Sequence, residues 1–127
     1  MLESVALASH LEGLAEHGGA EGVRDVTLLQ SALAKPQNLA AYGDPDLAAL
    51  TASYAFGIAR NHPFVDGNKR TALIVAESFV DLNGALLAAT EAELVVQILA
   101  LATGESSEDE LAEWLRERIA QRTRGPP

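Results

Sequence analysis

Apolar residues recur at helical spacing along most of the chain, and the breaks between these stretches predict about six helices. The first, roughly Leu2 to Glu16, carries Leu7, Leu11 and Leu14 on one face with Val5 beside them, the pattern of an amphipathic helix. His10 falls on or beside that stripe and is read as a partly buried histidine, hydrogen-bonded within the core. His17 to Gly22 then breaks the helix with three glycines, which makes it the most flexible stretch expected. Asp25 stands as an N-cap for Val26 to Lys35, Pro36 as the stop, and Gln37 to Gly43 as a loop. Arg24, just before, is either a phosphate contact or half of a salt bridge, the plainer choice. Tyr42 either lines a pocket or packs on the core, again the plainer choice. Asp44-Pro45 opens the next helix with proline at its first position, and Leu47, Leu50, Tyr54 and Ile58 give it an apolar face running to Arg60.

Asn61 and Pro63 end that run, because the residue before a proline avoids the α region. From Thr71 to Leu82 the chain is apolar almost all round, with only Glu77, Ser78 and Asp81 forming a polar stripe. Such a helix belongs in the middle of a bundle, and Asn83-Gly84 closes it. Thr90 with Glu93 and Ser107 with Glu110 are two capping boxes, separated by Gly104. Leu94, Ile98 and Leu101 mark the buried face of one helix; Leu111, Trp114, Leu115 and Ile119 mark the other, with Trp114 as a core anchor. Beyond Arg116 the chain is basic and ends in Gly-Pro-Pro, so a frayed tail is expected over about 121–127.

Composition narrows the class. A length of 127 residues fits one domain, 1–127, able to bury about two thirds of its unfolded surface. Hydrophobic residues make up 48% and aromatics only 5%, which favours an all-α bundle over a sheet. The chain has no cysteine, which excludes disulfides and thiolate metal sites. With neither a basic leader nor a run of about 18 apolar residues, no secretory signal or membrane span is expected. A cytoplasmic bacterial protein follows as the default. A net charge of -9 argues against direct nucleic-acid binding, which wants a basic face.

Against that acidity stands one loop, His62-Pro63-Phe64-Val65-Asp66-Gly67-Asn68-Lys69-Arg70, preceded by Arg60. Asp-Gly is a turn signal and Asn68 a favoured N-cap, so the helix that follows begins over this loop. Its free first-turn N–H groups and dipole, with Lys69 and Arg70 beside them, suit an anion, phosphate above all. His62, at the other end of the loop, reaches the same place if the loop folds back, and could take a proton from a hydroxyl. Asp66 supplies a hard oxygen ligand of the kind that holds Mg²⁺ beside nucleotide phosphates. Phe64 serves as the anchor beneath. Taken singly, each residue has a plainer role: His62 a helix end, Asp66 to Asn68 an ordinary turn, Lys69 and Arg70 a solvated pair, Arg60 a complement to a helix C-terminus. Their combination in one turn favours a site.

The nine residues resemble the signature of the Fic/Doc superfamily, and lysine at position 69, where Fic adenylyltransferases carry glycine, is similar to the death-on-curing branch. The N-terminal section through Leu28 to Pro36, Asn83-Gly84 and Ala102-Thr103-Gly104-Glu105 also resemble that family, so the likeness covers nearly the whole chain. It implies an all-α Fic/Doc-like bundle with its active-site loop between two central helices. It implies, too, a toxin of a toxin–antitoxin pair that moves the γ-phosphate of ATP to a protein hydroxyl, elongation factor Tu being the family's known target. In that reading His62 is the general base, Asp66 holds Mg²⁺, Gly67 and Asn68 give backbone and amide donors, and Lys69 and Arg70, helped by Arg60, neutralise phosphate. Lysine at 69 fills room that glycine would leave, which suits a reversed nucleotide. The segment after the glycine-rich break is expected near the rim of the site, where related proteins use a flap to hold the target backbone. Restraint is expected from a separate Phd-like antitoxin, whose C-terminal segment folds onto a groove near the site. Adenylylation, or a catalytically silent binding module, are the alternatives.

Overall fold

The computed structural model describes residues 3–121 and comprises α1 (Glu3–His17), α2 (Val26–Tyr42), α3 (Leu47–Asn61), α4 (Asn68–Leu82), β1 (Ala85–Leu87), α5 (Glu91–Thr103), α6 (Glu108–Arg118) and β2 (Ile119–Gln121). Side-chain caps start four of the helices. Asp25 accepts from the Leu28 N–H at 3.1 Å, and Asp46 from the Ala49 N–H at 2.9 Å. Thr90 with Glu93, and Ser107 with Glu110, form both reciprocal capping boxes. Each such cap contributes about 0.5–2 kcal/mol.

The architecture is all-α: the described residues form six helices and one two-stranded antiparallel ribbon that pairs Ala85 with Gln121, Leu86 with Ala120 and Leu87 with Ile119. The innermost helix is α3, which packs against α2, α4, α5 and α6; α4, expected in the middle, lies between α3, α1 and α5 and leaves Asp81 and Leu82 exposed. Small residues bring α3 in close. A Cβ on Gly57 would lie 2.7 Å from the Ala32 Cβ of α2, so the two backbones touch where only hydrogen fits. None of the described helices is long and apolar enough to cross a membrane.

Other expectations are corrected. Pro36 does not stop α2; it is buried inside the helix, which runs on to Tyr42. A proline removes one ladder bond without ending a helix when tertiary packing holds the next turns. Tyr42 is 90% exposed rather than in the core. α3 begins two residues later than Asp44-Pro45 suggests, because Asp46 takes the cap and is gripped by Arg116 from α6. Ile119 caps α6 and leads into β2, whose last residue, Gln121, pairs with Ala85. Residues 122–127, the rest of the expected frayed tail, lie outside the described residues. Trp114 is partly buried, packed against the core, with the Arg118 guanidinium 4.4 Å from its ring centroid.

Candidate active site

The site is built where α3 stops. His62 caps that helix in the left-handed conformation, φ 50 and ψ 57, and is the one non-glycine residue with positive φ among those described. That conformation costs about 1–3 kcal/mol for a side-chain-bearing residue, so its surroundings must impose it. The chain from Gly22 to Asp25 does so by running antiparallel to residues 63–65, with Val23 opposite Phe64. The Arg24 and Asp25 N–H groups donate to the Pro63 carbonyl at 2.7 and 3.1 Å, and the Val65 N–H donates to Gly22 at 3.0 Å. The Arg24 guanidinium donates to the carbonyls of His62 and Asn61, at 2.7 and 2.9 Å. Neither a phosphate contact nor a salt bridge was needed to explain Arg24: it binds backbone.

Beneath the turn, Phe64 is fully buried, the anchor expected of it. The His10 ring stacks on it with centroids 4.0 Å apart and planes 8° from parallel. Its Nε2 stands 2.8 Å from the Asp66 carbonyl oxygen. Because a carbonyl only accepts, that nitrogen carries the hydrogen. Asn68 is not the N-cap but the first residue of α4. Its side chain accepts from the Phe64 N–H and donates to the Phe64 carbonyl, both at 3.0 Å. The amide is thus spent on holding the loop, and what Asn68 offers outward is its backbone N–H.

Gly67 takes the N-cap with φ 75 and brings no capping side chain. The first-turn N–H groups of α4 therefore meet the cavity with the positive end of the helix dipole. Asp66 lies beside them: one carboxylate oxygen accepts from the Gly67 N–H at 2.8 Å, the other from the Ala20 N–H at 3.3 Å. Gly19, at φ +121, fits against it only because it lacks a Cβ, which would stand 2.8 Å from Asp66 Oδ2. The glycine-rich break is thereby keyed to the carboxylate.

These pieces line one open cavity of about 690 Å³, with His17, Gly18 and Gly19 on one wall and His62 and residues 65–70 on the other. The structure thus brings His62, Asp66, Gly67, Asn68, Lys69 and Arg70 together. It does not bring Arg60: that guanidinium lies 5.4 Å from the Phe56 ring centroid and beside Gly104, and Arg60 is absent from the cavity walls. Lys69 is exposed, and among the described residues no carboxylate pairs with it. Arg70 is engaged, its Nη1 2.7 Å from Glu91. Glu12, Glu16 and Glu77 line the neighbouring hollow with that pair. Partial burial holds the Glu77 carboxyl above its ordinary range, Glu91 adds to the rise and Arg70 opposes it. The burial and hydrogen bond expected of His10 are present; that its partner is the motif was not legible. Sequence reasoning missed the roles of Arg24, Gly19 and Glu91, which act on the motif from distant parts of the chain.

The Fic/DOC family profile matches residues 3–80. A protein named Toxin Doc from Mycolicibacterium smegmatis is 47% identical over 75 residues, covering 57% of each chain. A protein named Protein kinase doc from Escherichia phage P1 is 34% identical over 111 residues, covering 87% of each.

Proposed function

Since the chain belongs to the Fic/DOC family, we propose that it is the toxin of a toxin–antitoxin pair and a transferase that phosphorylates protein. The group moved is the γ-phosphate of ATP, the acceptor a Ser or Thr hydroxyl, and the target elongation factor Tu, whose modification blocks translation. The names of the two relatives, a toxin and a protein kinase, support this reading. The observation that carries it is the cavity shared by His62 and the uncapped first turn of α4.

The chemistry needs little from the protein beyond position and charge. The triphosphate lies over the amides of Asn68 to Arg70, with Lys69 and Arg70 neutralising the charge that spreads over the transferring group. His62, whose imidazole makes no hydrogen bond among the described residues, receives the proton of the acceptor hydroxyl. The hydroxyl oxygen forms its bond to the γ-phosphorus as the bond to the β–γ bridging oxygen breaks, and ADP leaves. Asp66 is the residue for Mg²⁺. Each of its oxygens accepts one N–H, which leaves lone pairs free, and one carboxylate with phosphate oxygens is the usual Mg²⁺ set. When bound, the ion supplies charge neutralisation on the phosphates. Arg60, which lies off the cavity, drops out of the phosphate-binding set. A separate Phd-like antitoxin restrains the enzyme by laying its C-terminal segment near the site.

Incubation of the protein with a cell extract and either γ-labelled or α-labelled ATP tests the reading. Label on a protein band from the γ position alone supports phosphorylation. Label from the α position alone would replace it with adenylylation, and label from neither would leave a binding module.

A further inference from the structure

We propose that Arg24 is a positioning residue for His62: by bridging the Asn61 and His62 carbonyls it holds His62 in its left-handed conformation and so aims the general base. The inference rests on the phosphotransfer reading for its kinetic consequence, though not for its structural one. Three observations carry it. His62 is alone among the described non-glycine residues in having positive φ. The Arg24 guanidinium reaches its carbonyl at 2.7 Å through Nε and the preceding carbonyl at 2.9 Å through Nη2. The Arg24 backbone N–H also donates to the next carbonyl, Pro63, at 2.7 Å, so a single residue binds three successive carbonyls around the turn.

Those carbonyls sit where α3 ends. In a helix the last carbonyls lack N–H partners and carry the negative end of the dipole, so an adjacent guanidinium satisfies both needs. The planar fork spans two acceptors at once, which a lysine ammonium on its flexible stem does not reproduce. Without the fork, nothing among the side chains described ties the Asn61 and His62 carbonyls down; the backbone bonds that remain, at Pro63 and Val65, hold only the peptides beyond His62, so His62 itself can leave the strained well. His62 is exposed on the cavity, so its ring position depends on its backbone rather than on packing. Arg24 does not line the cavity, which separates its role from that of Lys69 and Arg70: it acts on the base and not on the nucleotide.

Arg24→Ala and Arg24→Lys are compared with the wild type by steady-state phosphotransfer and by the NMR backbone shifts of His62 in isotope-labelled protein. Both variants are expected to fold, since the side chain is exposed. In Arg24→Ala the kcat falls by about 100-fold, the usual scale for a misplaced catalytic group, while KM for ATP changes less than about twofold. The His62 shifts leave left-handed values, those of Asn68 to Arg70 stay put, and millimolar guanidinium restores part of kcat. Arg24→Lys recovers little. Wild-type His62 shifts in Arg24→Ala would overturn the proposal, as would a raised KM with unchanged kcat, which would make Arg24 a nucleotide contact. If the wild type transfers no phosphate, the function reading fails instead, and the His62 shifts still decide this one.

Discussion

Substituting His10 by phenylalanine separates two things that this residue does for the motif. A phenyl ring keeps the flat stack on Phe64 but removes the Nε2–H that Asp66 receives at 2.8 Å. The Asp66 carbonyl belongs to the peptide that leads into Gly67, the N-cap of α4, so this bond fixes the plane from which the first turn of α4 departs. His10 is only 3% exposed, and phenylalanine brings no donor, so the loss is close to that of an unsatisfied buried acceptor, about 1–3 kcal/mol. For a chain of this length each kcal/mol lowers Tm by about 4 °C. Thermal unfolding of His10→Phe should therefore drop by about 4–12 °C. His10→Ala, which also loses the stack, worth about 0.5–1.5 kcal/mol, and leaves a void, should drop further. Titration calorimetry with ATP should show weaker binding in His10→Phe beyond what its unfolded fraction explains. A variant that melts with the wild type and binds ATP equally well would show that the peptide before Gly67 is held without His10.

Gly19→Ala should weaken nucleotide binding measured by the same titration, because a methyl group 2.8 Å from Asp66 Oδ2 must push the carboxylate aside; unchanged binding would mean the glycine-rich wall yields freely. Glu91→Gln should leave urea stability within about 1 kcal/mol, as expected of a mainly exposed ion pair, yet tighten ATP binding by releasing Arg70; weaker binding would show that Glu91 aims Arg70 rather than competing for it. Arg116, with the Ala49 N–H assisting, holds the Asp46 carboxyl at about 2, below the ordinary 3.8. A depressed carboxylate stabilises the fold above its unfolded pKa and loses that contribution as pH falls. Acid titrations of wild type and Asp46→Asn should thus differ in stability above about pH 4 and converge toward about pH 2; a gap persisting at pH 2 would assign the stabilisation to another cause.

What the sequence made legible is local. Capping boxes at Thr90 and Ser107, the N-cap at Asp25 and the turn through Gly67 depend on residues within four positions of one another, and these came out in place. The rest depends on partners far along the chain. Pro36 alone reads as a stop, yet Leu29, Ala32, Leu33 and Pro36 are buried on one face of α2, and that packing carries the helix past it. Asp46 outcompetes Asp44 as a cap with Arg116, 70 residues away, on its carboxylate. α4 looked innermost by its apolar count, but α3 is richer in small residues, and Gly57 lets it approach α2 closely. In the loop 62–70 the sequence singled out the residues that line the cavity. Which of them face inward was not legible: Asn68 turns its amide to Phe64, and Arg60 turns toward Phe56.

We propose that one imidazole, of His62, and one helix N-terminus, of α4, serve the same phosphate. The most direct test is transfer from γ-labelled ATP to purified elongation factor Tu by wild type and His62→Ala, with ATP binding measured on both. His62→Ala should bind ATP as the wild type does and transfer no label. Transfer by His62→Ala at the wild-type rate, or loss of ATP binding together with transfer, would contradict the proposal.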